Sequence, residues 1–93
     1  MSNPIICIPK INVNTSKHFI KHIFEQHNLG KIKKIHISSN NKFSKAFIYF
    51  EYWYDNPKSL KVREYLLNDL DFKIMYNEPW YWKCCIYLKK KRM

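Results

Sequence analysis

The sequence predicts an α+β domain ordered strand, helix, strand, strand, helix, strand, built as a four-stranded antiparallel sheet with two helices on one face. Three observations carry this expectation. Apolar residues recur at period two in short β-branched or aromatic runs and at helical spacing in two longer ones. The chain has 93 residues, which suits one domain and is too short for two. Its residues are 46% hydrophobic and 17% aromatic, enough apolar mass for a dense core that offsets the ordering entropy of the chain.

The elements follow in order. Residues 1–4 read as a short lead. Ile5–Ile11 is a compact β-branched run passing through Pro9 and Lys10, which fits a buried first strand. Residues 12–16 form a polar connection with three candidate helix caps, Asn14, Thr15 and Ser16. In Lys17–His27, Phe19, Ile20, Ile23 and Phe24 make one apolar stripe, with Lys17, His18, Lys21 and Gln26 mostly off it. Gly30, the one glycine, is expected to stop this helix in the left-handed conformation.

Ile32, Ile35 and Ile37 mark a second strand, with Lys34 and His36 on its other face. Residues 38–42 are a polar turn around Asn40-Asn41. Residues 45–53 form a long third strand in which Ala46, Ile48 and Phe50 point inward and Lys45, Phe47 and Tyr49 outward. Asp55-Asn56-Pro57 starts a second helix, because a capping side chain precedes a proline at the first helical position. That helix is expected to run to about Asn68 and to bury Leu60, Tyr65, Leu66, Leu67 and Leu70. Residues 72–76 make a short apolar strand, Asn77-Glu78-Pro79 a turn, and residues 80–88 the last main strand. The domain thus spans residues 5–88, and residues 89–93 form a basic tail. Two strand–helix–strand units with right-handed crossovers give the ferredoxin-like arrangement, with one sheet face under the helices and the other open.

Charge narrows the function. Lys and Arg number 17 against 7 Asp and Glu, a net charge of +10 that fits a polyanionic partner. Cys7, Cys84 and Cys85 are odd in number, and neighbours on a strand point to opposite faces, so Cys84 and Cys85 are not expected to pair. A reducing intracellular compartment follows. Neither an apolar leader nor a membrane span of roughly 20 apolar residues is expected. Abundant Lys, Ile, Asn, Tyr and Phe suggest an AT-rich coding sequence.

At the level of motifs, Ile6-Cys7-Ile8-Pro9-Lys10-Ile11 resembles the first-strand hexamer of the RNA recognition motif (RRM). Phe43-Ser44-Lys45-Ala46-Phe47-Ile48-Tyr49-Phe50 resembles its third-strand octamer. Phe24, Leu29, Gly30 and Ile32 are similar to the end of its first helix and the start of its second strand. The resemblance covers nearly the whole chain and implies base stacking at three ring positions of the open face. Here those positions hold Cys7, Lys45 and Phe47, so one ring of the three survives, and Phe43-Ser44 replaces the basic-glycine opening of the octamer. Glu78-Pro79-Trp80-Tyr81-Trp82-Lys83 is similar to a segment of the small RRM-like proteins of large nucleocytoplasmic DNA viruses. That likeness implies a viral protein of the host cytoplasm, the nucleus or the virion.

The candidate nucleic-acid site is therefore the open face: Cys7, Lys34, His36, Lys45, Phe47, Tyr49, Lys83 and Tyr87. Rings stack bases there and lysines neutralise phosphates, with RNA or single-stranded DNA as the partner. The tail residues Lys89, Lys90, Lys91 and Arg92, with Lys31 and Lys33, add phosphate contacts free of sequence preference. The competing expectation is a protein-interaction module using the degenerate face or the Trp-rich edge. In that case Trp82 is structural and Trp53 or Trp80 faces the partner. A third is a packaging protein that coats nucleic acid.

His18 and His22 stand at chelating spacing, but no carboxylate or cysteine is near them in sequence, so they read as a solvated helix face and no metal or cofactor is expected. No glycine-rich loop and no activated nucleophile is visible, so the chain does not read as an enzyme.

Overall fold

The computed structural model describes residues 4–39 and 42–87. Its elements are β1 (Ile5–Ile11), α1 (Lys17–His27), β2 (Gly30–Ser39), β3 (Ser44–Trp53), α2 (Pro57–Leu67), β4 (Phe72–Asn77) and β5 (Trp80–Tyr87). The lead 1–3, the Asn40-Asn41 pair, Leu88 and the tail 89–93 lie outside the described residues.

The architecture is α+β, with one antiparallel sheet of five strands in the order β2-β3-β1-β5-β4. The expected sheet had four. The fifth is the short run at residues 72–76, which pairs with β5 as a hairpin rather than merely preceding it. Its turn, Asn77-Glu78-Pro79-Trp80, contains a cis Glu78–Pro79 peptide. β5 divides its pairing: Trp80 to Cys84 align with β4, and Cys85 to Tyr87 align with β1.

Local chemistry sets the helix ends. The Ser16 hydroxyl accepts a hydrogen bond from the Phe19 amide at 3.0 Å and caps α1. Asn28, not Gly30, takes the left-handed position that ends α1, with φ 57°. A short polar side chain tolerates that conformation. Gly30 is instead the first residue of β2, and its role is steric: a Cβ there would sit 2.5 Å from the Tyr52 carbonyl oxygen and 2.8 Å from Trp53 Cα. Asn56 caps α2 by accepting from the Ser59 amide at 2.8 Å, and its amide nitrogen donates to the Asn28 carbonyl at 3.0 Å. One side chain thus starts α2 and fastens it to the end of α1.

At the other end of α2, Asp69 adopts φ 59°. The Leu70 amide donates to the Tyr65 carbonyl and the Asp69 amide to the Leu66 carbonyl, a Schellman motif with aspartate in the usual glycine position. Leu70 therefore lies past the helix. The buried side of α2 is Ser59, Val62 and Leu66, while Leu60, Leu67 and Leu70 are exposed, against expectation. Ser59 is buried because its hydroxyl donates to the Leu29 carbonyl at 2.8 Å.

Two bulges reconcile the apolar pattern with the sheet. Ile32 and Ile35 are three apart, which on a regular strand would put them on opposite faces. Lys33 is an extra residue: Ile32 pairs with Phe50 and Lys34 with Tyr49, so both isoleucines turn toward the core. In the same way Pro9 and Lys10 together oppose one residue of β3, and Ile8 and Ile11 are both buried. Proline cannot donate to a ladder, so a bulge is a natural place for Pro9.

The core is one cluster. It takes Ile20, Ile23 and Phe24 from α1, Val62 and Leu66 from α2, and the inward residues of all five strands, including Ile6, Ile35, Ile48, Ile74 and Trp82. Aromatic rings fill the region between α1 and the β4–β5 hairpin: Trp82 stacks on Tyr76 with centroids 4.5 Å apart and lies 6.2 Å from Phe24, while Phe19 meets it edge-on. His27 Nε2 donates to the Met75 carbonyl at 2.8 Å and its Nδ1 accepts from Lys58 at 2.6 Å, tying α1, α2 and β4 together.

Candidate nucleic-acid interface

The inward strand residues lie under the helices, so the alternate residues make up the opposite face. Strand register then decides which side chains are neighbours. His36 of β2 is opposite Phe47 of β3, Phe47 is opposite Cys7 of β1, and Cys7 is opposite Cys85 of β5. One row of side chains thus crosses four strands. Lys34 opposes Tyr49, and Ile5 opposes Tyr87, in the neighbouring row.

The rings converge. His36 and Phe47 lie nearly parallel, 23° between planes and 6.0 Å between centroids. Phe47 and Tyr87 come to 4.8 Å, although their strands are separated by β1. Strands two apart lie about 9.6 Å from each other, so these rings must lean over β1 to meet. The small Cys7 side chain lies in the same row and makes room for that contact.

The cations sit around the rings. Lys34 Nζ lies 4.8 Å from the Tyr49 ring centroid, within cation–π range. Lys45 is exposed one step along β3 from the Phe47 row. Lys83 is exposed on β5 and forms a 3.5 Å ion pair with Asp71. Such a solvent-exposed pair contributes about 0–1 kcal/mol, so a phosphate can compete for this lysine.

The structure therefore brings Cys7, Lys34, His36, Lys45, Phe47, Tyr49, Lys83 and Tyr87 to one sheet face. Lys89, Lys90, Lys91 and Arg92 lie outside the described residues. Lys31 is exposed and pairs with Glu51 at 3.8 Å, away from the ring row.

The alternation that assigns Lys83 and Tyr87 to this face also assigns Tyr81 and Cys85, which the sequence reading left out. β4 adds Lys73 and Met75: Lys73 opposes Lys83, and its ammonium lies 4.7 Å from the Tyr81 ring. Counting the short run before Pro79 as a sheet strand would have found them. Beyond Cys7, where the pairing of β1 with β5 stops, a cleft of 370 Å³ is lined by Lys10, Val13, Phe43, Tyr81 and Trp82 among others.

The three tryptophans differ in exposure. Trp82 is buried in the core and Trp80 is 62% exposed. Trp53, offered as a partner contact, is instead buried: it packs 4.3 Å from Phe50, donates its indole N–H to the Pro4 carbonyl, and carries the Arg63 guanidinium 5.7 Å from its ring. Its neighbours Tyr52 and Tyr54 meet edge-on, with Tyr52 exposed. His18 and His22 are both exposed on α1. Among the described residues no three His, Cys, Asp or Glu side chains gather as metal ligands, and no helix is long and apolar enough to cross a membrane.

The thiols divide between the faces. Cys84 points into the core, where burial pushes its pKa far up. On the open face, burial beneath the rings raises Cys7 to about 11, with the Cys85 thiol raising it further and Lys45 opposing. Cys85 is raised as well, chiefly by burial.

No protein family, curated protein or solved structure matches this chain.

Proposed function

We propose that the chain binds single-stranded nucleic acid, RNA foremost, on the open sheet face. The observation that carries this reading is the juxtaposition of His36, Phe47 and Tyr87 as neighbouring rings with Lys34, Lys45 and Lys83 exposed around them. A base has a π-face whatever its sequence, and its phosphate is an anion, so rings bordered by lysines suit both with little sequence preference. The net charge of +10 supports the same partner.

In this proposal the fold is an RRM-like, ferredoxin-like sheet extended by one edge strand. Setting β4 aside, the remaining order β2-β3-β1-β5, with a helix following β1 and another following β3, supports it. Tyr87 would then supply part of the stacking surface that Cys7 and Lys45 do not.

The test is fluorescence anisotropy of a labelled mixed-sequence RNA with the full chain at low and high salt, beside Phe47→Ala. Micromolar or tighter binding that falls steeply with salt and drops for Phe47→Ala is the expected result. Binding that ignores Phe47 removes the stacking role, and no binding at low salt overturns the proposal.

A protein partner is the second reading, favoured by the β4–β5 hairpin, where Trp80, Tyr81 and Met75 are 62%, 45% and 45% exposed. Exposed indole and phenol rings of this kind are enriched at protein interfaces.

A further inference from the structure

We propose that Cys7 and Cys85 form a reversible disulfide bond that ties β1 to β5 across the open sheet face. The two residues are direct partners in the antiparallel ladder, so their Cβ atoms leave the sheet on the same side. Directly opposed antiparallel residues have Cα atoms about 4.5–5.5 Å apart, inside the span a disulfide bridges. Cys84 is no rival, because it lies on the opposite face, buried, with its thiol directed at the Trp82 carbonyl.

The chemistry is thiol–disulfide exchange with a low-molecular-weight disulfide such as oxidised glutathione. Cys85 loses its proton and attacks one glutathione sulfur, breaking that S–S bond and releasing one glutathione thiolate. Cys7 then loses its proton and attacks the Cys85 sulfur of the mixed disulfide, releasing the second. The two protein thiols are oxidised, and one glutathione disulfide is reduced to two glutathione molecules. Cys85 goes first because burial, the main cause for both thiols, raises Cys7 the further, to about 11.

The charged and titratable groups facing this pair are Lys45 and Tyr49 on β3 and Lys83 and Tyr87 on β5, with Asp69 and Asp71 acting on Cys85 from beyond the strand. Burial outweighs the lysines, so both thiols stay protonated at neutral pH and the exchange accelerates as pH rises toward 9. Because Cys7 and Cys85 lie near opposite ends of the described chain, the bond closes a long loop and restricts the unfolded state strongly.

The test incubates the reduced full chain with oxidised glutathione at pH 8.5 and reads intact mass and melting temperature. The expected product is a monomer lighter by two hydrogens, restored by dithiothreitol, and melting at least about 5 °C higher than the reduced chain. Cys84→Ala still forms it, and proteolysis of that variant links the peptides carrying residues 7 and 85. Cys7→Ser and Cys85→Ser, both at partly exposed positions, instead stop at a glutathione adduct. A wild-type chain that ends as a glutathione adduct, as a cross-linked dimer, or with Cys84 in the bond overturns the proposal. None of these readouts involves RNA, so the result stands apart from the nucleic-acid reading.

Discussion

On one side of the sheet Trp82 is 5% exposed, held between Tyr76, Phe24 and Phe19; on the other, Phe47 lies partly open between His36 and Tyr87. Both are aromatic clusters on one sheet, centred on strands that β1 separates. The difference is the cover. Trp82 is sealed by α1, so its removal leaves a cavity among side chains that cannot follow it. Phe47 is covered only by rings beside it, so the same removal leaves a dent that water fills. The first cluster is held by burial, and the second is available to a ligand.

Substitution can break this comparison most sharply at Trp82. Trp82→Ala is expected to lose about 3–5 kcal/mol of unfolding free energy in urea titration, most of the stability a small domain has. Phe47→Ala is expected to cost only about 1 kcal/mol on the same measurement. Its larger effect is on RNA, where anisotropy is expected to show affinity falling roughly 5- to 150-fold, the equivalent of one stacking ring. Equal losses of stability at the two positions would mean that the open face is as covered as the other.

Lysines sharpen the contrast next. Replacing Lys34, Lys45 and Lys83 together by Gln is expected to reduce the slope of log affinity against log salt by about 2, since each phosphate contact on a single strand contributes about 0.7. The melting temperature is expected to stay nearly constant, because all three are exposed.

Thiol reactivity compares the faces directly. With iodoacetamide at pH 8.5, Cys85 is expected to react first and Cys7 more slowly, while Cys84 stays unmodified until urea unfolds the chain. For Cys7, raised to about 11, the rate is expected to climb about tenfold per pH unit between pH 7 and 10. Folding also holds these thiols protonated above their unfolded pKa. Their contribution is therefore complete below pH 9 and is lost as pH rises through the folded values.

The smallest expected effect is at the hairpin. Trp80→Ala is expected to change stability by less than about 0.5 kcal/mol in urea titration, because its ring is mostly in water.

Much of this was legible in the sequence, for reasons that differ by element. The span of α1 could be read from its single periodicity, while the structure chose Ser16 among the three candidate caps. The face carrying Phe47 and Tyr49 followed from strict alternation in β3. What failed depended on tertiary neighbours. Gly30 looked like a helix stop because a lone glycine after a helix usually is one; the close approach of Tyr52 and Trp53 that requires it comes from the paired strand β3, more than 20 residues on in sequence. Leu60, Leu67 and Leu70 looked buried because leucines on a helix usually are, yet Ser59 and the Asp69 turn set the rotation and length of α2. The fifth strand was visible as a run, but nothing in its residues says which edge it joins. The Cys7–Cys85 pairing is a matter of register, which no local pattern encodes.

The bulge at Lys33 has a consequence beyond the core. β2 and β4 are the two outer strands, and each offers backbone groups to which another chain could add. β2 answers with Lys31, Lys33 and Lys34 and a kink in its ladder; β4 is six residues long and carries Lys73. Charge, kinking and shortness are the means by which exposed edges resist stacking into fibres. Lys34 thus belongs both to the proposed binding face and to an edge that keeps copies of the protein from one another.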